Sequence, residues 1–193
     1  MDLEPTENDE IVPSGFLQLL KSGDGSDFTL VSTDDKEFAV HRTILRARSE
    51  YFAAMLSSDS QEAKNGRCKL PDLDAKTLEV FLLYMYGGLK KVPEDLAQLV
   101  FVAADKYQFS LVKSHCEVLL VSQVMLGTAA HFLILADKYS ASNLRDACLK
   151  LAKDGYQIFE EAGGAEQLRA SGNGQLLEAV KEYLLSYHHH HSS

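Results

Sequence analysis

A change of hydrophobic period at Val40 does most to limit the folds open to this chain. Before it, Asp27-Phe28-Thr29-Leu30-Val31 and Glu37-Phe38-Ala39-Val40 are short β-rich runs flanking the polar turn Thr33-Asp34-Asp35-Lys36, which is the pattern of a hairpin. After it the apolar residues recur at helical spacing. Ile44, Leu45 and Arg48 begin one stretch, and Tyr51, Phe52 and Met55 begin another, with a break near Ser49. One more strand signal follows, Arg67-Cys68-Lys69-Leu70, stopped by Pro71. A lone hairpin is marginal in water and needs a third strand or a covering helix. The pattern therefore predicts an α+β domain: a small three-stranded sheet flanked by a helical cluster, with further helices after it.

The helix signals are specific in places. Val12, Phe16 and Leu19 recur at i, i+4 and i+7 and predict a short amphipathic helix ending at Ser22-Gly23. Ser57 to Gly66 reads as a polar loop. Leu78, Phe81, Leu82 and Met85 form a stripe, with Asp74 placed as its cap and Gly87-Gly88 as its stop. Pro93 stands where a first-turn proline is tolerated, followed by Glu94 and Asp95 at the positive end of the helix dipole. Leu96, Leu99, Val100, Ala103 and Tyr107 are read as lining that helix. Leu144, Ala147, Cys148 and Leu151 give a later stripe, and Leu176, Val180, Tyr183 and Leu184 the last. Ala104-Asp105-Lys106-Tyr107 returns 32 residues later as Ala136-Asp137-Lys138-Tyr139, and Cys116 then matches Cys148. Two copies are too few for a solenoid, which needs about three to bury a continuous core.

Charge and cysteine usage exclude several functions. The 193 residues carry 28 acids against 19 bases, a net charge of −9, and no stretch offers the clustered Lys/Arg that displaces counterions from a nucleic acid. No apolar run is long enough for a membrane span, and the acidic start lacks the regions of a signal peptide. Residues 1–13 read as a flexible acidic leader. Cys68, Cys116 and Cys148 are odd in number and widely spaced, which fits free thiols in the nucleus or cytoplasm. His41, His115 and His131 fall on different elements, so no metal or cofactor is expected. Gly163-Gly164 and Ser171-Gly172-Asn173-Gly174 match no phosphate-cradling loop. Glu160-Glu161 reads as a solvated face. Nothing nominates a nucleophile with its base and oxyanion donors, so the chain is read as a non-enzyme. Residues 188–193 form a His-rich tail of the purification-tag type.

From Phe16 to about Leu151 the chain resembles a BTB/POZ domain with a C-terminal helical extension. The resemblance rests on five segments in order: Asp27-Phe28-Thr29-Leu30; Phe38-Ala39-Val40-His41-Arg42-Thr43-Ile44-Leu45; Arg48-Ser49 with Tyr51-Phe52 and Met55; Leu82-Leu83-Tyr84-Met85-Tyr86-Gly87-Gly88; and Ala103-Ala104-Asp105-Lys106-Tyr107. It implies the BTB/POZ fold over residues 14–122 and a helical extension of the 3-box or BACK kind over 123–187. Leu133-Ile134-Leu135-Ala136-Asp137 and Asn143-Leu144 make the chain most similar to the speckle-type POZ branch of that family. That branch carries a substrate-binding MATH domain ahead of the POZ fold, for which these residues leave no room.

The resemblance also implies partners. A homodimer would pack Val12, Phe16, Leu19 and Ile44 across a two-fold axis, with Asp27 and Arg42 as a charged pair of the dimer groove. Family adaptors dock on the N-terminal domain of cullin-3 through a hydrophobic-x-Glu motif after the Met55 helix. Here the matching residues are Ser60-Gln61-Glu62, with Leu56 nearby, so the acid is present and the anchor is a serine. The expected function is a homodimeric adaptor that brings an unknown substrate protein to a cullin-3 ubiquitin ligase. The alternative is a dimerising scaffold, heterodimer partner or dominant negative that recruits no ligase.

Overall fold

The computed structural model describes residues 14–57, 59–87 and 91–188. The leader and all but the first residue of the His-rich tail lie outside the described residues, as do Val12, Gly88 and the side chain of Leu184. The chain divides into two compact units, Met1–Lys113 and Ser114–Ser193.

The first unit opens with helix α1 (Ser14–Ser22), then the hairpin β1 (Phe28–Val31) and β2 (Glu37–Val40). Its turn is closed by Ser32, which donates its N–H to the Lys36 carbonyl and accepts the Lys36 N–H on Oγ, while Asp35 takes a positive φ of 60°. Helices α2 (Arg42–Arg48) and α3 (Glu50–Ser57) are separated by Ser49, whose φ of −142° breaks the helix. A short helix α4 (Gln61–Asn65) leads into β3 (Arg67–Lys69). Strand order is β2-β1-β3, with β1 antiparallel to β2 and parallel to β3, pairing Leu30 with Phe38 on one side and Cys68 on the other. A parallel pair needs a long crossover, which α2 to α4 provide. The central strand is accordingly the most buried, with Leu30 wholly inaccessible.

Helix α5 (Ala75–Met85) is capped twice. Asp74 Oδ1 accepts the Thr77 N–H, as its position suggests, and Asp34 Oδ1 accepts the Ala75 N–H. Leu78, Phe81, Leu82 and Met85 are all buried, as the stripe predicts. After a single 3₁₀ turn (Glu94–Leu96) come α6 (Ala97–Lys106) and α7 (Ser110–Gln123), which runs on into the second unit. Here the structure corrects the sequence reading. Leu96, Val100, Ala103 and Tyr107 are buried as read, together with Ala97, Phe101 and Ala104, and the exception is Leu99, which is exposed.

A second correction concerns Ser57 to Gly66, which is helical over α4 rather than a polar loop. Ser60 is its N-cap and accepts the Ala63 N–H at 3.1 Å; Gly66 closes it in the left-handed region, φ 66°. The segment has no apolar periodicity because none of its residues is buried.

The second unit contains α8 (Ala129–Lys138), α9 (Ser142–Asp154), α10 (Tyr156–Glu161), α11 (Gly164–Ala170) and α12 (Gly174–His188). Its core includes Leu120, Leu133, Ala136, Leu144, Cys148, Phe159, Leu168 and Val180. Gly163-Gly164 joins α10 to α11, and Gly164 lies so close to the Phe159 ring that a Cβ there would stand 2.5 Å from it. Tyr183, counted in the last stripe, is 38% exposed.

The sequence echo has a backbone cause. After α6, Gln108 N–H bonds to Asp105 O and Phe109 N–H to Ala104 O; after α8, Ser140 N–H bonds to Asp137 O and Ala141 N–H to Ala136 O. Both turns are the two-bond Schellman closure, and both place a non-glycine residue in the left-handed region, Gln108 at φ 51° and Ser140 at φ 54°.

Candidate interaction surfaces

Helix α1 is nine residues long and amphipathic. Leu17, Leu19 and Leu20 are half-buried, while Phe16 keeps 48% of its surface exposed. Ile44, on α2, is also half-buried. Phe16 is thus an aromatic left half open on a nine-residue helix.

Asp27 and Arg42 are brought together, though not as the guanidinium–carboxylate pair expected of them; no such ion pair occurs among the described residues. Asp27 Oδ1 accepts the Arg42 backbone N–H at 2.8 Å. The guanidinium instead reaches backbone carbonyls, Nε to Asp27 O at 3.2 Å and Nη2 to Ala63 O at 2.8 Å, and lies over the Phe28 ring at 4.9 Å. The fork geometry of arginine lets one side chain tie β1, α2 and α4 together. The segment matched to the dimer groove and the segment matched to cullin docking are thus joined through Arg42.

At the corner between α3 and α4, Leu56 and Ser60 are half-buried, and Gln61 and Glu62 are exposed. The Ser60 hydroxyl donates to the Met55 carbonyl at 3.2 Å while capping α4. Both bonds hold the Ser60 hydroxyl inside the corner, whereas Glu62 in the first turn of α4 is exposed.

Two polar pins escape periodicity arguments. Tyr86, buried at the end of α5, accepts the His41 backbone N–H at 2.9 Å and contacts His41 Nδ1 at 2.8 Å, while Nε2 meets the Asp24 carbonyl at 2.8 Å. A carbonyl only accepts, so in the neutral ring Nε2 carries the hydrogen and Nδ1 accepts from the tyrosine. Tyr107 donates to Asp72 Oδ1 at 2.8 Å and stacks on Phe52, and its carbonyl accepts the Ser49 hydroxyl. Burial and the Asp72 carboxylate push its phenol well above the ordinary range. The sequence signal for both pins is a polar-tipped residue inside an apolar stripe, which tells that a partner is needed but not which.

The three cysteines are buried and free. Burial raises the Cys68 thiol to about 11 and the Cys116 and Cys148 thiols to about 12. Such groups stay protonated and make poor nucleophiles or metal ligands. Among the described residues no three His, Cys, Asp or Glu side chains converge as a metal set, and no helix is long and apolar enough to cross a membrane.

Comparison with known proteins agrees with the geometry. The model of the family described as BTB/POZ domain matches residues 16–124, from α1 to the end of α7. Protein maternal effect lethal 26 of Caenorhabditis elegans is 33% identical over 147 residues, 75% of this chain and 37% of that protein. The chain therefore spans little more than a third of that relative's length. The small sheet, the helical cluster around it and the helices that follow are those expected of this fold, and the chain belongs to the BTB/POZ domain family.

Proposed function

We propose that the protein is a homodimeric, non-enzymatic adaptor that carries a target protein to a cullin-3 ubiquitin ligase, docking through the α3–α4 corner. Membership of the BTB/POZ family makes it a protein-interaction module; the observation that supports docking is Glu62, exposed in the first turn of α4, with Leu56 half-buried near the end of α3. Dimerisation is supported by the exposed Phe16 on α1. Leu133-Ile134-Leu135-Ala136-Asp137 and Asn143-Leu144 support kinship with the speckle-type POZ branch, and three free thiols support a nuclear or cytoplasmic home.

A second reading keeps the dimer without the ligase. It is favoured by Ser60, whose hydroxyl is occupied by the cap where an adaptor presents an apolar anchor. Apolar anchors usually dominate interface energetics. Calorimetry with the cullin-3 N-terminal domain separates the two. The adaptor reading predicts binding that Glu62→Ala weakens. Ser60→Met gains up to roughly 1.5–3 kcal/mol of apolar burial and loses a cap worth about 1 kcal/mol. It should therefore tighten binding by about tenfold, the equivalent of 1.4 kcal/mol. Binding by Ser60→Met alone supports the scaffold, and binding by neither protein ends the adaptor reading.

A further inference from the structure

Two asparagines of the chain, Asn65 and Asn173, are each followed by glycine. That neighbour opens a reaction needing only water. The glycine amide nitrogen attacks the asparagine Cγ, the Cγ–Nδ2 bond breaks, and ammonia leaves with the proton the amide gave up. Water then opens the cyclic imide at either carbonyl and leaves aspartate or isoaspartate. Glycine favours the attack because it has no side chain in the way and its backbone turns freely.

The structure separates the two sites. Asn65 is the last residue of α4, and the Gly66 N–H is spent on the Glu62 carbonyl. The Gly66 carbonyl accepts the Thr29 N–H at 2.9 Å, so that glycine is held from both sides. Asn173 instead stands outside any helix, directly ahead of α12. Gly174 opens α12, where the first N–H groups have no partner in the helix ladder. It is exposed, with nothing within 4 Å of where a Cβ would stand. One restraint remains: Asn173 Nδ2 donates to Asp137 Oδ2 at 2.7 Å, joining the start of α12 to the end of α8.

Asp137 has a second partner within reach. In the first ADKY segment, Asp105 meets Lys113 at 2.6 Å. The residues 32 positions on are Asp137 and Arg145, which line one surface pocket. Asp137 holds Asn173 there, and Arg145 has no ion pair among the described residues.

We propose that Asn173 is a self-modification site that works as a one-way latch: deamidation turns the donor to Asp137 into a carboxylate, and Asp137 turns to Arg145. An amide and a carboxylate share a hydrogen bond, whereas two carboxylates at that separation repel. While the latch is closed the bond to Asp137 holds the amide, so the attack proceeds only when that bond opens.

The test is incubation of the chain at neutral pH and body temperature, followed by peptide mapping with mass spectrometry. The native chain should convert at Asn173 and keep Asn65, while the chain unfolded in urea should convert at both. Asp137→Ala removes the restraint and should speed conversion at Asn173 roughly three- to tenfold, the worth of one net hydrogen bond. Native Asn65 converting as fast as Asn173, or an Asp137→Ala rate equal to the native one, overturns the assignment. Asn173→Asp stands in for the product. It should lower the thermal midpoint further in the native background than in Asp137→Ala, and Arg145→Ala should deepen the native loss. Equal shifts with and without Asp137 overturn the latch, and a loss indifferent to Arg145→Ala overturns the turn to Arg145.

Discussion

Arg42 shows how far a residue can depart from the role its sequence position suggests. Paired with Asp27 by resemblance, it instead holds two backbone carbonyls while Asp27 accepts its backbone N–H. The consequence is an asymmetry between substitutions. Asp27→Asn retains an oxygen acceptor and should cost well under 1 kcal/mol, whereas Arg42→Ala loses two charge-assisted hydrogen bonds and should cost about 1.5–3 kcal/mol. Urea titration of the two variants measures the difference; equal losses would mean that the carboxylate–guanidinium attraction dominates after all. The thiols give a pH signature of known sign. Cys68, Cys116 and Cys148 ionise at about 11, 12 and 12 in the folded chain against an ordinary 9.0. Above about pH 9 the unfolded chain therefore loses protons that the folded chain keeps, so stability falls as pH rises through that range. The urea midpoint should drop between pH 8 and pH 10.5, and replacing all three cysteines with alanine should flatten that part of the profile. An unchanged slope would place the effect in other groups. That the cysteines are free was legible from their number and spacing. The His41–Tyr86 and Tyr107–Asp72 pins were not, because hydrogen bonds between residues 45 and 35 positions apart leave no periodic trace.

At the level of elements, legibility follows burial. The hairpin, the third strand and α5 each bury one face, so their periods are written in the apolar residues and could be read directly. Helix α4 buries nothing and spans five residues; what marked it was the Ser60 cap and Gly66, not a stripe. Helices α10 and α11 are six and seven residues long and meet at a glycine pair that serves packing rather than phosphate. Gly164→Ala would press a methyl group into the Phe159 ring and should cost about 1–3 kcal/mol, the usual range for overpacking a core. Thermal melting of that variant beside the native chain checks it, and an unchanged midpoint would mean the ring yields freely. The repeated ADKY segment was visible as an echo, but its reason was not. Left-handed closures usually use glycine or asparagine, and Gln108 and Ser140 gave no such sign. On α6 the stripe was read correctly at Leu96, Val100, Ala103 and Tyr107, and Leu99 alone of its members is exposed.

For the whole molecule, protein partners were implied by the resemblance to the BTB/POZ family, and membership of that family makes the chain a protein-interaction module. One side chain, Arg42, links the N-terminal end of β1 and the start of α2 to α4, which carries the exposed Glu62. In the proposed adaptor, a two-fold dimer should present its docking corners as a symmetric pair. The central claim is that this chain is a two-fold adaptor. The most direct test is light scattering, after size exclusion, of the native chain mixed with an equimolar amount of the cullin-3 N-terminal domain. The account predicts one species whose mass equals two copies of this 21.4 kDa chain plus two cullin domains. Two separate peaks, each at the mass of its own component, would contradict it.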